Sequence, residues 1–306
     1  DVYKRQGTHC ARHLARFKYR RNHKMMHPKT MLLALLMALL SGFWGTLHAD
    51  PDRPRFDVER DLFLAQFDSK TDVDDVHSVA GVATMLRSPE LEGVRYHAVA
   101  GAYGIQEGLY VPSPELFDRA FGENWSDAHG NREQALEIVS GMVNETLENG
   151  GSVWVADAGQ SDFTADWLQL AGAAGLAGQG RQNDHVVQHS DWNESVTAPE
   201  KLAFVKANAR YHRIPDGNAV GNGTPGFNSA EGHLWDAVIA DPETGELWRM
   251  AREIADEYNG KDNRYLNESI KAGGMDFSDV AESCWIFGYE DLVDAEGFFS
   301  LFLGMD

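Results

Sequence analysis

The chain contains very little cysteine, since Cys10 and Cys284 are the only two in 306 residues. Cys10 lies in an N-terminal segment that we expect to be outside the folded domain, which leaves Cys284 alone. An internal disulfide is therefore excluded for the predicted domain. Residues 50–306 are numerous enough to bury a sizeable core without such a cross-link, so we expect one core and one domain.

Basic residues are also scarce, because 27 Lys and Arg residues stand against 47 Asp and Glu residues and the formal net charge is −20. A protein that binds a nucleic-acid duplex gains its affinity by neutralising phosphates with basic side chains. We therefore do not expect nucleic acids or anionic membrane surfaces as partners. A strongly negative chain favours solubility and the binding of cations.

The chain has no apolar run of the roughly 20 residues that a membrane-spanning helix needs. Its longest apolar stretch, residues 31–40, follows Lys24 and Lys29 and precedes Ala49. A basic start, a short apolar centre and a terminal alanine are typical of a secretory signal peptide. The mature protein would then be secreted or periplasmic, with no membrane span.

These features predict three segments along the chain. Residues 1–24 are interpreted as translation from upstream of the start codon, with a basic N-terminal arm as the alternative. Residues 25–49 are the predicted signal peptide, and residues 50–306 are the predicted folded domain.

Several common catalytic signatures are missing from the sequence, among them a G-x-S-x-G elbow, a P-loop, an H-E-x-x-H zinc motif and a dinucleotide fingerprint. What the sequence does contain is a regular alternation of strand and helix patterns. The predicted strands are 61–67, 93–100, 152–156 and 184–188, and the predicted helices are 76–86, 131–148, 162–174, 199–207, 230–239 and 242–258. Such alternation indicates an α/β fold with a mostly parallel, open, Rossmann-like sheet flanked by helices.

The most informative segment follows the first predicted strand, where Asp68, Asp72, Asp74 and Asp75 fall within eight residues. In an open α/β sheet, ligands bind beyond the carboxyl ends of the strands. Four like charges at that place are costly unless a hard cation neutralises them, so the segment predicts a divalent-metal site. Two alternatives stay open: the aspartates cap the next helix, or Lys70 forms an internal ion pair in place of a metal.

The order of the polar loops resembles that of the nucleoside hydrolase superfamily, whose chains open with a strand and D-x-D-x-x-x-D-D. Asp68, Asp74 and Asp75 match its first and last two acids, and Lys70 stands at its second. The loop 158–162 resembles the family's G-P-L-T-N loop. Asp191-Trp192-Asn193 resembles its E-F-N triplet, and Pro199-Glu200 opens the next helix in a similar way.

The resemblance implies a calcium site and a set of roles. The implied calcium ligands are Asp68, Asp75, Asp236 and the backbone carbonyl near Ser161; Asp74 would activate a water, and His233 would protonate the leaving group. The implied substrate-binding residues are Asp191, Trp192 and Asn193, with Tyr103 in the region where the family has an asparagine. For Asp276 and Asp279 a helix cap is the favoured interpretation, and a late metal ligand that competes with Asp236 is the alternative.

The sequence thus predicts an exported, calcium-dependent hydrolase of an N- or O-glycosidic bond in a ribonucleoside or related sugar. The alternative is a noncatalytic carbohydrate-binding or assembly protein on the same fold, favoured by Lys70 and by the missing asparagine. The expected partner is a small nucleoside or sugar, and a homo-oligomer is left open.

Overall fold

A six-stranded, fully parallel sheet forms the centre of the domain in a computed structural model that describes residues 53–172 and 180–305. The segments predicted at 1–24 and 25–49, with Cys10, lie outside the described residues. Residues 54–306 form one compact unit. Among the helices of the described ranges, none has the length and apolar character needed to cross a bilayer.

The first five strands of the sheet along the chain are each followed by one or more helices. The sheet strands are β1 (Leu62–Phe67), β2 (Arg95–Ala100), β3 (Trp125–Asp127), β4 (Val153–Ala158), β5 (Asp184–His189) and β6 (Arg210–Ile214). The helices between them are α1 (Asp74–Leu86), α2 (Pro114–Phe121), α3 (Arg132–Glu148), α4 (Asp162–Ala171), α5 (Gly180–Asn183), α6 (Asp191–Val196) and α7 (Pro199–Asn208).

The C-terminal part adds a small antiparallel ribbon and further helices. They are β7 (Asn228–Ser229), α8 (Trp235–Ala240), α9 (Gly245–Tyr258), α10 (Glu268–Lys271), β8 (Met275–Asp276), α11 (Ala281–Phe287) and α12 (Ala295–Leu303). Within the described ranges, short 3₁₀ helices cover Pro89–Leu91, Lys261–Asn263 and Ser278–Val280. β7 pairs with β8, so that Asn228 lies opposite Asp276.

The strand order is β3-β2-β1-β4-β5-β6, and the predicted α/β class with a parallel sheet is confirmed. The chain moves outward from β1 to β3 and then returns to the other side of β1 with β4. The loops that leave β1 and β4 therefore diverge, and they open a crevice at the carboxyl ends of these neighbouring strands. In register, Phe67 at the end of β1 lies opposite Ala158 at the end of β4.

The sheet is covered on both faces, as a doubly wound fold requires. Every residue of β1 is buried, which explains its nearly continuous apolar sequence. Phe63 and Phe67 face a core that also contains residues of α1, α2, α9, α11 and α12. Leu62 and Leu64 face a second core, formed with α3, α4 and α7. Two buried faces hold β1 in place and so fix the position of the acidic loop that follows it.

Candidate metal centre

The loop between β1 and α1 gathers the predicted acidic residues at the crevice. The backbone N–H of Ser69 donates to Asp75 Oδ2 at 2.6 Å, and the N–H of Lys70 donates to Asp68 Oδ1 at 2.8 Å. Ser69 has φ of 51°, a left-handed conformation that is uncommon for a residue with a side chain. The N-cap of α1 is Val73, whose side chain makes no capping hydrogen bond. Asp74 Oδ1 accepts the first-turn N–H of Asp75 at 3.0 Å, so one aspartate satisfies a helix donor, whereas Asp75 Oδ2 accepts from Ser69 outside the helix.

A late segment of the chain completes the acidic cluster. The 3₁₀ turn after β8 carries Asp279, whose Oδ2 accepts a 3.3 Å hydrogen bond from Ser78 Oγ on α1. One oxygen from each of Asp74, Asp75 and Asp279 lies within 4.8 Å of the others. Asp75 Oδ1 is buried and has no hydrogen-bond partner among the described residues. The cluster therefore offers converging hard oxygens, with one of them unsatisfied.

Asp276 lies beside this cluster and is held by amides from two other segments. Its Oδ2 accepts from Asn228 Nδ2 and from Asn267 Nδ2, both at 2.7 Å. Asn267 Nδ2 also lies 3.4 Å from Asp72 Oδ2, so one amide bridges the two carboxyl groups. The imidazole of His77 accepts the backbone N–H of Asp276 through Nδ1, which fixes β8 against α1.

Burial and mutual repulsion raise the pKa values of these carboxyl groups. Burial raises the pKa of Asp68 to about 6 and that of Asp72 to about 7, compared with an ordinary value of 3.8. Burial also holds the pKa values of Asp74, Asp75 and Asp279 well above 3.8, and neighbouring carboxylates add to each shift. The fully ionised cluster is therefore unfavourable unless a cation lies within it.

Lys70 does not supply that cation. Its Nζ lies 4.1 Å from the centroid of the Tyr103 ring. In the described part of the chain, no carboxylate oxygen lies within ion-pair distance of this ammonium group. Burial lowers the Lys70 pKa, and the charge of Asp68 offsets only part of that effect. The ion-pair alternative to a metal is not what the fold adopts.

Tyr103 lies behind Lys70 and not on the wall of the crevice. Its hydroxyl is 2.7 Å from His129 Nδ1, and the His129 ring stacks on Tyr110 with ring centroids 4.0 Å apart. The predicted substrate contact of Tyr103 is therefore replaced by a packing role. Lys70 and Gln106 line the crevice in this region.

The loop after β4 reaches Asp68 through Gly159 and Gln160. A Cβ on Gly159, which has φ of 101°, would lie 2.3 Å from Asp68 Oδ2, so only glycine permits this approach. Gln160 Nε2 lies 3.5 Å from the same oxygen. Ser161, whose carbonyl region was predicted to hold calcium, is fully buried, and its Oγ accepts from Gln188 Nε2 at 3.0 Å. Gly159 lines the cavity in its place.

These loops enclose a cavity of about 470 Å³, which is in the usual range for a small-ligand site. The carboxyl groups that line it belong to Asp68, Asp72, Asp74, Asp75, Asp216, Glu268, Asp276 and Asp279. The amides that line it belong to Gln106, Asn193, Asn218, Asn228 and Asn267. Two aromatic side chains, Trp192 and Tyr265, and the imidazole of His189 complete the principal groups.

The three residues predicted from the loop after β5 take different positions. Asn193 is 7 % exposed, lines the cavity, and has an Nδ2 group without a partner among the described residues. Trp192 lines the cavity and is 65 % exposed. Asp191 turns outward and pairs with Arg213, so it is not on the cavity wall. Ser190, before them, has φ of 68°, which redirects the chain at the end of β5.

The structure does not bring His233 and Asp236 to the cavity. His233 is about half exposed, and its Nε2 lies 3.0 Å from Glu296. The prediction relied on both residues sharing a helix face, but α8 begins only at Trp235. The Trp235 ring is buried against His77 and Trp248, which leaves the adjacent Asp236 exposed. Asp279 occupies the place expected for Asp236, and the metal-ligand alternative for Asp276 and Asp279 is the one that fits the geometry.

His189 is the imidazole that lies at the cavity. It ends β5 and lies between Asp279, 3.7 Å from Nε2, and Glu282, 3.8 Å from Nδ1. Its backbone N–H donates to Glu282 Oε1 at 2.8 Å. The sequence signal for this residue is its position at the carboxyl end of a buried strand, which His233 lacks.

Comparisons of the chain with protein-family models, with curated proteins and with solved structures found no match. The geometry of the cavity therefore carries the functional argument.

Proposed function

We propose that this cavity is the active site of a calcium-dependent hydrolase that cleaves an N- or O-glycosidic bond. The observation that carries the proposal is the convergence of Asp74, Asp75 and Asp279 within 4.8 Å, with Asp75 Oδ1 buried and unpartnered. The cluster lies at the switch point of a parallel sheet, where such folds bind ligands. The resemblance to nucleoside hydrolases in Asp68, Asp74 and Asp75 supports the same conclusion.

The donor set fits a hard divalent cation. Asp75 and Asp279 would hold it, because their oxygens converge from two separate segments of the chain. Asp68 lines the same cavity and would be a third ligand. Calcium accepts six to eight oxygens in irregular geometry, which leaves positions for water and for substrate hydroxyls. When bound, the ion would lower the pKa of a coordinated water and orient it.

The surrounding side chains have complementary roles in this proposal. Asp74 accepts a proton from the attacking water and adds negative charge near an oxocarbenium-like transition state. Asn193 donates its free amide N–H to a ring hydroxyl, since that group has no partner in the described structure. His189, and not His233, is the imidazole within reach of a leaving group. We keep the prediction that the protein acts outside the cytoplasm, where calcium is abundant.

Chelation and turnover test this function directly. The purified protein should lose thermal stability when calcium is removed and regain it on addition, because an ion that binds the native state stabilises it. Release of free sugar from inosine, uridine and oligosaccharides should require calcium. Asp75→Ala should abolish both effects, and undiminished turnover in this variant would refute the proposed site.

The second candidate function is noncatalytic sugar binding on the same fold. It is favoured by Lys70, which stands where the nucleoside hydrolases have an aspartate. Under this alternative the protein binds calcium and sugar, but no sugar is released from any substrate. The same assays therefore separate the two functions.

A further inference from the structure

Two exposed aromatic side chains line the cavity from two different segments of the chain, α6 and the connection between α9 and α10. Trp192 follows β5 and is 65 % exposed, and Tyr265 lies between α9 and α10 and is 61 % exposed. Both line the cavity. By contrast, Trp154, Trp167, Trp235 and Trp248 are almost completely buried in the core. Within the described ranges Trp192 and Tyr265 are the aromatic residues among the exposed large hydrophobic side chains, and both line one polar cavity, which favours a ligand that covers them.

The backbone around each ring is held in place although the rings themselves are free. The N–H of Trp192 donates to Ser190 Oγ at 3.0 Å, and the carbonyl of Trp192 accepts from Ser195 Oγ at 2.7 Å. The carbonyl of Tyr265 accepts from the N–H of Gly260 at 3.2 Å. Within the described ranges neither ring stacks on another aromatic ring. The backbone that carries each ring is thus held in place before any ligand arrives.

The charge of the cavity restricts the chemistry of that ligand. Eight carboxyl groups line the cavity, and Lys70 is the single Lys or Arg side chain that does so in the described part of the chain. Phosphate and carboxylate groups on a ligand would be repelled, which disfavours nucleotides and acidic glycans. The amides of Asn193 and Asn218 match neutral hydroxyl groups.

We infer that the substrate is a neutral oligosaccharide whose successive rings stack on Trp192 and Tyr265 while one sugar enters the acidic cavity. The apolar C–H face of a pyranose suits a flat aromatic surface, and the edge hydroxyls suit the amides and carboxylates below. Two rings on separate segments of the cavity wall provide two stacking surfaces, which a single nucleoside would not need. This inference rests on the proposed function only for where the substrate is cleaved. The residues that would stack on the sugar rings, Trp192 and Tyr265, are different from Asp74, Asp75 and Asp279.

Calorimetric titration with neutral sugars tests the inference. The full chain carrying Asp74→Asn, in millimolar calcium, would be titrated with gluco-, xylo-, manno- and N-acetylglucosamine oligosaccharides from monosaccharide to hexasaccharide. Affinity should rise with chain length for at least one series. Trp192→Ala and Tyr265→Ala should each weaken binding of the long oligomer about tenfold, as expected for an exposed aromatic anchor, and leave the monosaccharide unchanged.

Matched variants separate stacking from folding defects. Trp192→Phe and Tyr265→Phe should restore most of the affinity because they retain the ring. Leu301→Ala, at a 52 % exposed position on α12 that does not line the cavity, should have no effect. Thermal unfolding of all variants should match that of the parent, since the substituted side chains are exposed.

The possible outcomes distinguish this inference from the proposed function. Affinity that does not grow with chain length in any series, or that survives both alanine substitutions, would overturn the oligosaccharide assignment. Tight inosine binding that is lost in Trp192→Ala would assign the ring to a nucleobase and also overturn it. Chain-length-dependent binding without sugar release by the wild-type protein would leave the inference intact and refute the hydrolase.

Discussion

Replacing Asp75 by asparagine should have opposite effects on the metal-free and calcium-bound protein. Asp75 is 4 % exposed, and burial, Asp279 and Asp68 hold its pKa well above 3.8. Asparagine keeps an oxygen for the Ser69 N–H, which now donates to Asp75 Oδ2. It removes the cost of burying or neutralising a carboxylate, so the metal-free variant should be more stable than the metal-free wild type. It also removes a charged ligand, so calcium should stabilise the variant much less.

The sign of the first effect and the size of the second follow from linkage. Because the folded state holds the Asp75 pKa well above its ordinary value, this carboxyl group opposes folding at neutral pH, so the metal-free variant should have the higher Tm. Calcium at a hundredfold excess over its Kd should stabilise the wild type by about 2.7 kcal/mol. For a domain of this size, that corresponds to a rise in Tm of roughly 5–10 °C. The variant should show about a third of that rise or less.

Differential scanning calorimetry with chelator and with calcium measures both quantities. Asp279→Asn should behave like Asp75→Asn, because its carboxylate belongs to the same cluster. Asp236→Asn is the matched control, since Asp236 is exposed on α8 and should leave both Tm values unchanged. If Asp75→Asn destabilised the metal-free protein and kept the full response to calcium, the electrostatic account of the cluster would be refuted.

Three further predictions concern pH, the β4 loop and the histidines. Without calcium, Tm should fall as the pH rises from about 4 to about 7, because across this range the folded chain keeps the proton of Asp72, whose pKa is about 7, while the unfolded chain has lost it near 3.8; above about pH 7 the contribution of Asp72 is constant. Calcium should flatten this profile, and a Tm that rises with pH over this range in chelator would contradict the prediction. Gly159→Ala should lower the free energy of unfolding by about 1–3 kcal/mol and weaken calcium binding, because the added Cβ displaces Asp68. Calorimetry measures both effects. Gly122→Ala is the control, since Gly122 also has positive φ but has no atom within 4 Å of the added Cβ. Turnover should survive His233→Ala and be lost in His189→Ala, as steady-state kinetics would show, and the reverse pattern would restore the sequence prediction.

Local sequence patterns were sufficient for the sheet and for the first acidic loop. β1, β2, β4 and β5 lie within a few residues of their predicted positions, because buried parallel strands are short apolar runs bounded by loops. The short β3 and the edge strand β6 were missed, since β3 has only three residues and β6 carries two arginines and no apolar run. Strand order needed the tertiary structure, because no local pattern says which strands are neighbours.

Local sequence patterns could not predict which residues from the C-terminal part of the chain reach the cavity. His233 and Asp236 are the nearest candidates for the late His–Asp pair of the nucleoside hydrolases, with a spacing of three instead of one, but the burial of Trp235 turns Asp236 outward. Asp279 looked like an ordinary helix cap and yet contacts Ser78, which is 201 positions away in the sequence. Only the packing of β8 and its following turn against α1 decides between these carboxylates.

By itself, the sequence determined that this chain folds as a parallel α/β domain and that several carboxylates follow its first strand. Those properties follow from the spacing of apolar residues along the chain and from its composition, and both are set by residues that are close in sequence. The tertiary structure alone decided which distant aspartate joins Asp74 and Asp75, and that Lys70 lies on Tyr103 and not among the acids. A site made of loops from separate strands depends on long-range packing, and the energy of a charge depends on which other charges that packing places beside it.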